Sequence, residues 1–124
     1  MIIAEGGNNK YFTQISNGSA GINADVTEDK GGSGSFFRPH DLIAAGFASC
    51  LNITIRMVLD SMNLSYENVI TKVDLNREED KTTFLYHTEI LGDIDTATKE
   101  AVISKAINCP VRKTLSKVID FQGK

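Results

Sequence analysis

Cysteine and histidine are scarce in this chain and positive charge is not in excess; each shortage excludes something. Only two cysteines occur, Cys50 and Cys109, and no CxxC pair. A disulfide-stapled secreted domain carries more cysteines at closer spacing, so that class is excluded. The two histidines, His40 and His87, stand far apart in sequence. With no CxxC pair beside them they offer no structural zinc site. Lys and Arg number 13 against 16 Asp and Glu, a formal charge of −3. Nucleic acids and anionic membranes call for cationic surface, so neither is an expected partner. The opening residues Met1-Ile2-Ile3-Ala4-Glu5-Gly6 lack the basic start and long apolar core of a signal peptide. The expected setting is cytoplasmic and reducing. There, two lone thiols are either inert core residues or working redox groups.

What is present is the ordinary mix of a globular protein: 124 residues, 41% hydrophobic and 23% charged. That length predicts a single domain, 1–124. So short a chain buries only about two-thirds of its unfolded surface, so a second copy would add core. One stretch, Leu42 to Leu59, imitates a membrane span. It contains Ser49, Asn52, Thr54 and Arg56 and is flanked by Asp41 and Asp60. A bilayer helix tolerates few or no charges, so a buried helix of a soluble protein is the better reading.

Along the chain, Lys10 to Ser16 is aromatic and β-branched, and Ile22, Ala24 and Val26 alternate with polar residues. The Asn17-Gly18 turn between them predicts a hairpin. A loop rich in glycine and serine, residues 28–37, ends in Phe36-Phe37, two rings expected to bury. Pro39 suits a first helical turn, and Asp41 favours the dipole there. The helix is predicted to run to about Met62. Its apolar residues circle the axis, so burial on most sides is expected. One chain's own sheet can hardly cover it. The small run Ala44-Ala45-Gly46 admits a second backbone, which points to a helix shared with a second subunit. Two alternating runs, Val69 to Leu75 and Phe84 to Ile90, predict a longer hairpin. Asp95 is a candidate N-cap for a helix from Thr96 to about Asn108, with Ala97, Ala101, Val102, Ile103, Ala106 and Ile107 expected on its buried side. Pro110 interrupts it, a short helix carries Val111 to Ser116, and Val118-Ile119-Asp120-Phe121 is expected as a closing strand. The predicted class is α+β, in the order ββαββα-α-β.

Cys50 sits within the long helix, where a free thiol is commonly just a small buried hydrophobe. Cys109 precedes Pro110 at a helix start, with Arg112 and Lys113 following. Free N–H groups and cations there are expected to favour its thiolate. Two such thiols could form a peroxidase-like pair, one attacking a peroxide and the other resolving the sulfenic acid as a disulfide. That chemistry needs a cation at the thiolate. Arg38 is one candidate. Arg56 is another, but six residues past Cys50 it stands about 240° round the helix.

The stretch Arg38-Pro39-His40-Asp41-Leu42-Ile43-Ala44-Ala45-Gly46-Phe47-Ala48-Ser49-Cys50, taken with Cys109-Pro110-Val111-Arg112-Lys113-Thr114-Leu115, resembles the OsmC/Ohr family. Its members read roughly (N)PEELLAAAxxxC on the central helix and CPVSxxL on the later one. The resemblance implies a ββαββαβ fold and an intertwined homodimer with the thiols at the subunit interface. It implies reduction of organic hydroperoxides, and of hydrogen peroxide less well, as part of the oxidative stress response. Cys50 matches the peroxide-attacking thiol and Cys109 the resolving one. A dithiol or a lipoyl group on a protein is the implied reductant, and no cofactor is implied. In the family a glutamate orients an arginine that holds the thiolate. That glutamate is His40 here, Asp41 is the nearest carboxylate to stand in, and Arg38 is the candidate cation, with Lys30 in reserve. His40 near a thiolate could donate a hydrogen bond or take a proton, its pKa lying near neutrality. His87 reads as a strand residue.

Two other classes fit parts of the chain. A dimeric binding module would use Phe36, Phe37 and Phe47 to line an apolar pocket for a lipid-like ligand. Gly31-Gly32-Ser33-Gly34 also fits the GxxG loop of KH RNA-binding domains, but it lacks flanking cations beyond Lys30, and the net charge opposes it.

Overall fold

Alternation in the first third of the chain builds an antiparallel sheet with one strand more than the sequence suggests. The computed structural model describes residues 1–124. Strands β1 (Ile3–Gly6), β2 (Thr13–Ser16) and β3 (Gly21–Ala24) lie in the order β1-β2-β3, with Ala4 opposite Ile15 and Ile15 opposite Ile22. The Asn17-Gly18 turn forms as expected. Gly18 takes a left-handed φ of 95°, and the Asn17 side-chain oxygen accepts from the N–H groups of Ser19 and Ala20.

The glycine loop is anchored rather than loose. Asp25 accepts from the Ser33 N–H, the Ser33 hydroxyl and the Val26 N–H. The Gly31, Gly32 and Gly34 N–H groups donate to the carbonyls of Glu28, Thr27 and Val26. They are therefore spent inside the loop and not free to clamp phosphates, which removes the basis of the KH reading. Gly32 is required here, because a Cβ on it would strike the Val26 carbonyl oxygen. Phe36 and Phe37 do not bury as expected: they stay about half exposed, Phe36 edge-on to Phe12 at 5.1 Å.

Helix α1 (Pro39–Ser61) begins at its predicted proline. It ends because Asn63 adopts a left-handed φ of 53°, while the Leu64 N–H reaches the Leu59 carbonyl and the Asn63 N–H that of Asp60. These are the two bonds of a Schellman cap. Strands β4 (Asn68–Arg77) and β5 (Thr82–Leu91) pair antiparallel, Val69 opposite Ile90 and Val73 opposite Tyr86. Helix α2 (Thr96–Ala106) is capped by Asp95, which accepts from the Thr98 N–H and hydroxyl. Helix α3 (Pro110–Leu115) has Cys109 as its N-cap residue.

The chain forms two compact units, Met1–Ile43 and Ala44–Lys124, with α1 running across the boundary. The core of the second unit is a stripe of α1 at four-residue spacing: Phe47, Leu51, Ile55 and Leu59. Val69 and Ile90 meet it from the sheet, Val102 and Ala106 from α2, and Cys109 from the junction. Burying each of Leu51, Ile55 and Leu59 contributes about 1.5–3 kcal/mol. Asn52, beside the stripe, ties α1 to the sheet by donating to the Val69 carbonyl at 2.8 Å.

Burial of α1 on most sides is not achieved within the chain. Ile53 and Met57 are 43% and 64% exposed, and beyond the helix's own adjoining backbone nothing lies within 4 Å of where a Gly46 Cβ would stand. By length and composition alone the helix could cross a bilayer, at mean hydropathy 1.8. Arg56 and Asn52 lie within it, and one stripe is committed to a protein core. Two expectations need correction. On α2 only Val102 and Ala106 are buried, while Ala97 and Ala101 face outward. Residues 118–121 form no strand: no sheet edge pairs with them, and Val118 and Phe121 are almost wholly exposed. β-branched residues favour a strand only where an edge accepts their hydrogen bonds.

Candidate active site

The two thiols come together because α1 and the α2–α3 junction share one core. Residues preceding proline favour extended backbone, and Cys109 obeys, with φ −60° and ψ 159°. That turns its side chain into the core, where it is 1% exposed. Pro110 at the first helical position leaves the next N–H groups of α3 without intrahelical partners. The Val111 N–H donates to the Cys50 sulfur at 3.4 Å, across 61 positions of sequence. The Cys50 side chain also packs against the core cluster that contains Cys109. It is partly accessible where Cys109 is sealed, and no disulfide joins them.

Burial pushes the Cys109 thiol up from its usual value. The neighbouring Cys50 sulfur pushes it the same way, while the N–H groups of Arg112 and Val111 pull part of the way back without making a cap hydrogen bond to it. The expectation that the helix start would make Cys109 thiolate-like is therefore reversed. Burial outweighs the helix end, and the best-placed N–H serves Cys50 instead. This asymmetry suits a pair in which the accessible sulfur reacts first.

Among the candidate cations, Arg38 grips Asp41 in a two-pronged pair, Nη2 to Oδ1 at 2.8 Å and Nε to Oδ2 at 3.1 Å. The Arg38 N–H also donates to Asp41, and this grip holds the Asp41 carboxyl below the usual carboxylate range. The two side chains are 59% and 36% exposed, so the pair orients more than it stabilises. His40 is exposed in the same helical turn. Arg38, His40 and Asp41 belong to the first unit, Cys50 and Cys109 to the second. Arg56 donates to the Asn52 side chain at 3.0 Å and stays exposed. Lys30 ends a 3₁₀ turn in the glycine loop. His87 pairs with Glu89 on an exposed strand face.

Phe36 and Phe37 line a shallow recess in the first unit with Ile22, Asn23 and Asp41, whereas Phe47 lines a cavity in the second unit. That second cavity is walled by Phe47, Phe84, Tyr86 and Leu115 together with Thr82, Thr83, Ser116 and Arg112. Its one sequence signal is Arg112 itself, which stands where the CPVS pattern has serine.

The OsmC-like protein family matches residues 32–123. The chain belongs to that family. Solved OsmC-like structures share its fold. An OsmC-like protein from Mycoplasma pneumoniae superposes at TM-score 0.79 and 16% identity, over 95% of this chain and 87% of its own. An organic hydroperoxide resistance protein OsmC from Legionella pneumophila superposes at 0.66 and 26% identity, over 94% and 88%. The organic hydroperoxide resistance protein OhrB of Bacillus subtilis superposes at 0.61 and 20% identity, over 97% and 92%. No match is found among curated protein sequences. In this OsmC-like chain Cys50 packs against the core that contains Cys109, and His40 follows Pro39 at the start of α1.

Proposed function

We propose that this OsmC-like protein is a thiol-dependent peroxidase that reduces organic hydroperoxides. The observation that carries the reading is the meeting of an accessible Cys50 sulfur, held by the Val111 N–H, with the buried Cys109 thiol. The Cys50 thiolate attacks one oxygen of the hydroperoxide. A sulfur–oxygen bond forms, the O–O bond breaks, and the alkoxide leaves and takes a proton to become the alcohol. Cys109 then gives up its proton and attacks the Cys50 sulfenic acid. A disulfide forms and water leaves. An external dithiol or a dihydrolipoyl protein is oxidised in turn, by exchange through a mixed disulfide, and restores both thiols. Arg38, oriented by Asp41, is assigned the role of thiolate-holding cation, and His40 that of a proton-handling neighbour; their joint engagement is what the family pattern implies.

A homodimer fits the same reading. The exposed Ile53 and Met57 of α1, the open space over Gly46 and the unpaired segment 118–121 are apolar or unsatisfied surfaces that a second copy would cover. A soluble, cytoplasmic protein is the setting in which both thiols stay reduced between turnovers.

The test is steady-state reduction of an alkyl hydroperoxide with dihydrolipoamide as reductant. Cys50→Ser is expected to lower turnover by about 100-fold or more. Cys109→Ser should keep the first reduction and lose turnover. Wild-type activity no higher than that of the double variant would refute the proposal and leave a binding module as the surviving reading.

A further inference from the structure

Charge is segregated along the chain. Residues 96–124 hold six Lys and Arg against two Asp and Glu, while residues 1–95 hold seven against fourteen. Within the C-terminal share, residues 105–117 carry Lys105, Arg112, Lys113 and Lys117 and no carboxylate side chain. That stretch is the end of α2, the junction at Cys109 and the whole of α3. At six residues α3 is only about 9 Å long, so its cations and the end of α2 occupy one small area of the second unit. Packing turns the lysines outward. Val111 and Leu115 of α3 and Val102 and Ala106 of α2 meet the core, and Lys105, Lys113 and Lys117 are exposed. The Lys117 N–H donates to the Thr114 carbonyl, so the turn carries on past α3 and sets Lys117 one turn after Lys113. None of the three lysines is ion-paired, whereas Arg38 and Lys81 are paired with Asp41 and Glu78. A cation at a helix C-terminus suits the dipole, but like charges a turn apart weaken a helix, so folding does not account for the cluster. The cluster borders the thiols, because the Val111 N–H in the first turn of α3 holds the Cys50 sulfur.

We propose that Lys105, Lys113 and Lys117 form a docking surface for an acidic protein and that, where the peroxidase reading holds, this protein carries the reducing dithiol. A compact acidic patch fits this surface better than a long polyanion does. The excess of carboxylates over residues 1–95 repels a nucleic acid or an anionic membrane spread across the molecule. Docking beside α3 brings a dithiol to the accessible sulfur of the oxidised pair. Cys109 is sealed in the core, so the incoming thiolate attacks Cys50. A mixed disulfide forms, and Cys109 leaves as a thiolate and takes a proton. The carrier's second thiol then displaces Cys50, so the carrier departs as a disulfide and both thiols of this chain are restored. The reductant role rests on the peroxidase reading; the surface itself does not.

The test compares a dihydrolipoyl domain of net negative charge, as the protein-borne dithiol, with free dihydrolipoamide. Combining Lys105→Glu, Lys113→Glu and Lys117→Glu is expected to raise KM for the domain by about tenfold or more and to leave that for dihydrolipoamide unchanged. Arg at the same three positions should keep the low KM, and rising salt should weaken only the domain. Calorimetry of the reduced protein with the domain makes the same comparison without turnover. Thermal unfolding checks that the variants fold, and Gln at the three positions serves if the Glu variant does not. Equal KM or equal affinity for the domain in the wild type and the charge-altered variant would overturn the proposal. So would tighter binding to single-stranded RNA or to phosphatidylglycerol vesicles than to the domain. Lysine-dependent binding of the domain without any hydroperoxide reduction would refute the peroxidase reading and leave the surface standing.

Discussion

Oxidation of the reduced protein with one equivalent of an alkyl hydroperoxide should stabilise it, and the size of the effect follows from where the sulfurs lie. Cys50 and Cys109 would close a loop of roughly 60 residues. The chain-entropy estimate for cross-linking such a loop is on the order of 4 kcal/mol. Native-state strain subtracts from that figure. Strain is expected to be small, because Cys50 packs against the core cluster that contains Cys109. With a urea slope of about 2 kcal/mol/M, the unfolding midpoint should rise by up to about 2 M. The assay is urea denaturation followed by far-ultraviolet circular dichroism on the oxidised and reduced proteins. Intact mass confirms the loss of two hydrogens per chain, and Cys109→Ser serves as the control that gains nothing. An oxidised protein that carries the intramolecular bridge yet unfolds at the same or lower urea would refute the reasoning, since the bridge would then be straining a core that does not place the two sulfurs for bonding.

Three further outcomes are expected. The Cys109 pKa is raised on folding, so the unfolded chain loses that proton first as pH rises; stability from this thiol is complete below the ordinary thiol range and is lost as pH climbs through the raised value, a loss that Cys109→Ala should abolish in urea titrations across alkaline pH. The Asp25 carboxyl is held low by the Ser33 and Val26 N–H groups and the Ser33 hydroxyl, so its contribution is present above the usual carboxylate range and lost as pH falls through the lowered value; Asp25→Asn should speed limited proteolysis of the loop at residues 26–35 several-fold, about threefold or more, and no change would count against the anchoring role. Ile55 is wholly buried in the α1 stripe, so Ile55→Ala should cost about 2–5 kcal/mol in chemical denaturation, and a cost below 1 would mean that the core is not where it is described.

Much of the architecture is legible in the residues, for identifiable reasons. Pro39 marks the start of α1 because a missing N–H costs nothing in a first turn. The two runs of β4 and β5 alternate cleanly because one face packs on α1. Asp95 announces α2 by its capping chemistry. Strand β1 escapes notice because Ile3-Ala4-Glu5-Gly6 is short and does not alternate; it exists only because β2 pairs with it. The segment 118–121 misleads in the opposite sense, since its β-branched residues read as a strand but no edge receives them. At the site, the thiols are legible as residue types, and the family pattern pairs them. The Val111 contact has no signature, because a backbone N–H looks alike at every position. Arg112, Tyr86 and Phe47 lie on three separate elements, and only tertiary packing brings them to one cavity.

The claim on which the rest depends is that the Cys50 sulfur reacts first and Cys109 captures it within the same chain. Treating the Cys109→Ser variant with one equivalent of hydroperoxide in the presence of dimedone, then mapping peptides by mass, tests this directly. Dimedone is expected on Cys50, and the wild type treated alike should yield one peptide pair bridged between Cys50 and Cys109. Label absent from Cys50, or wild-type disulfides found only between chains, would contradict it.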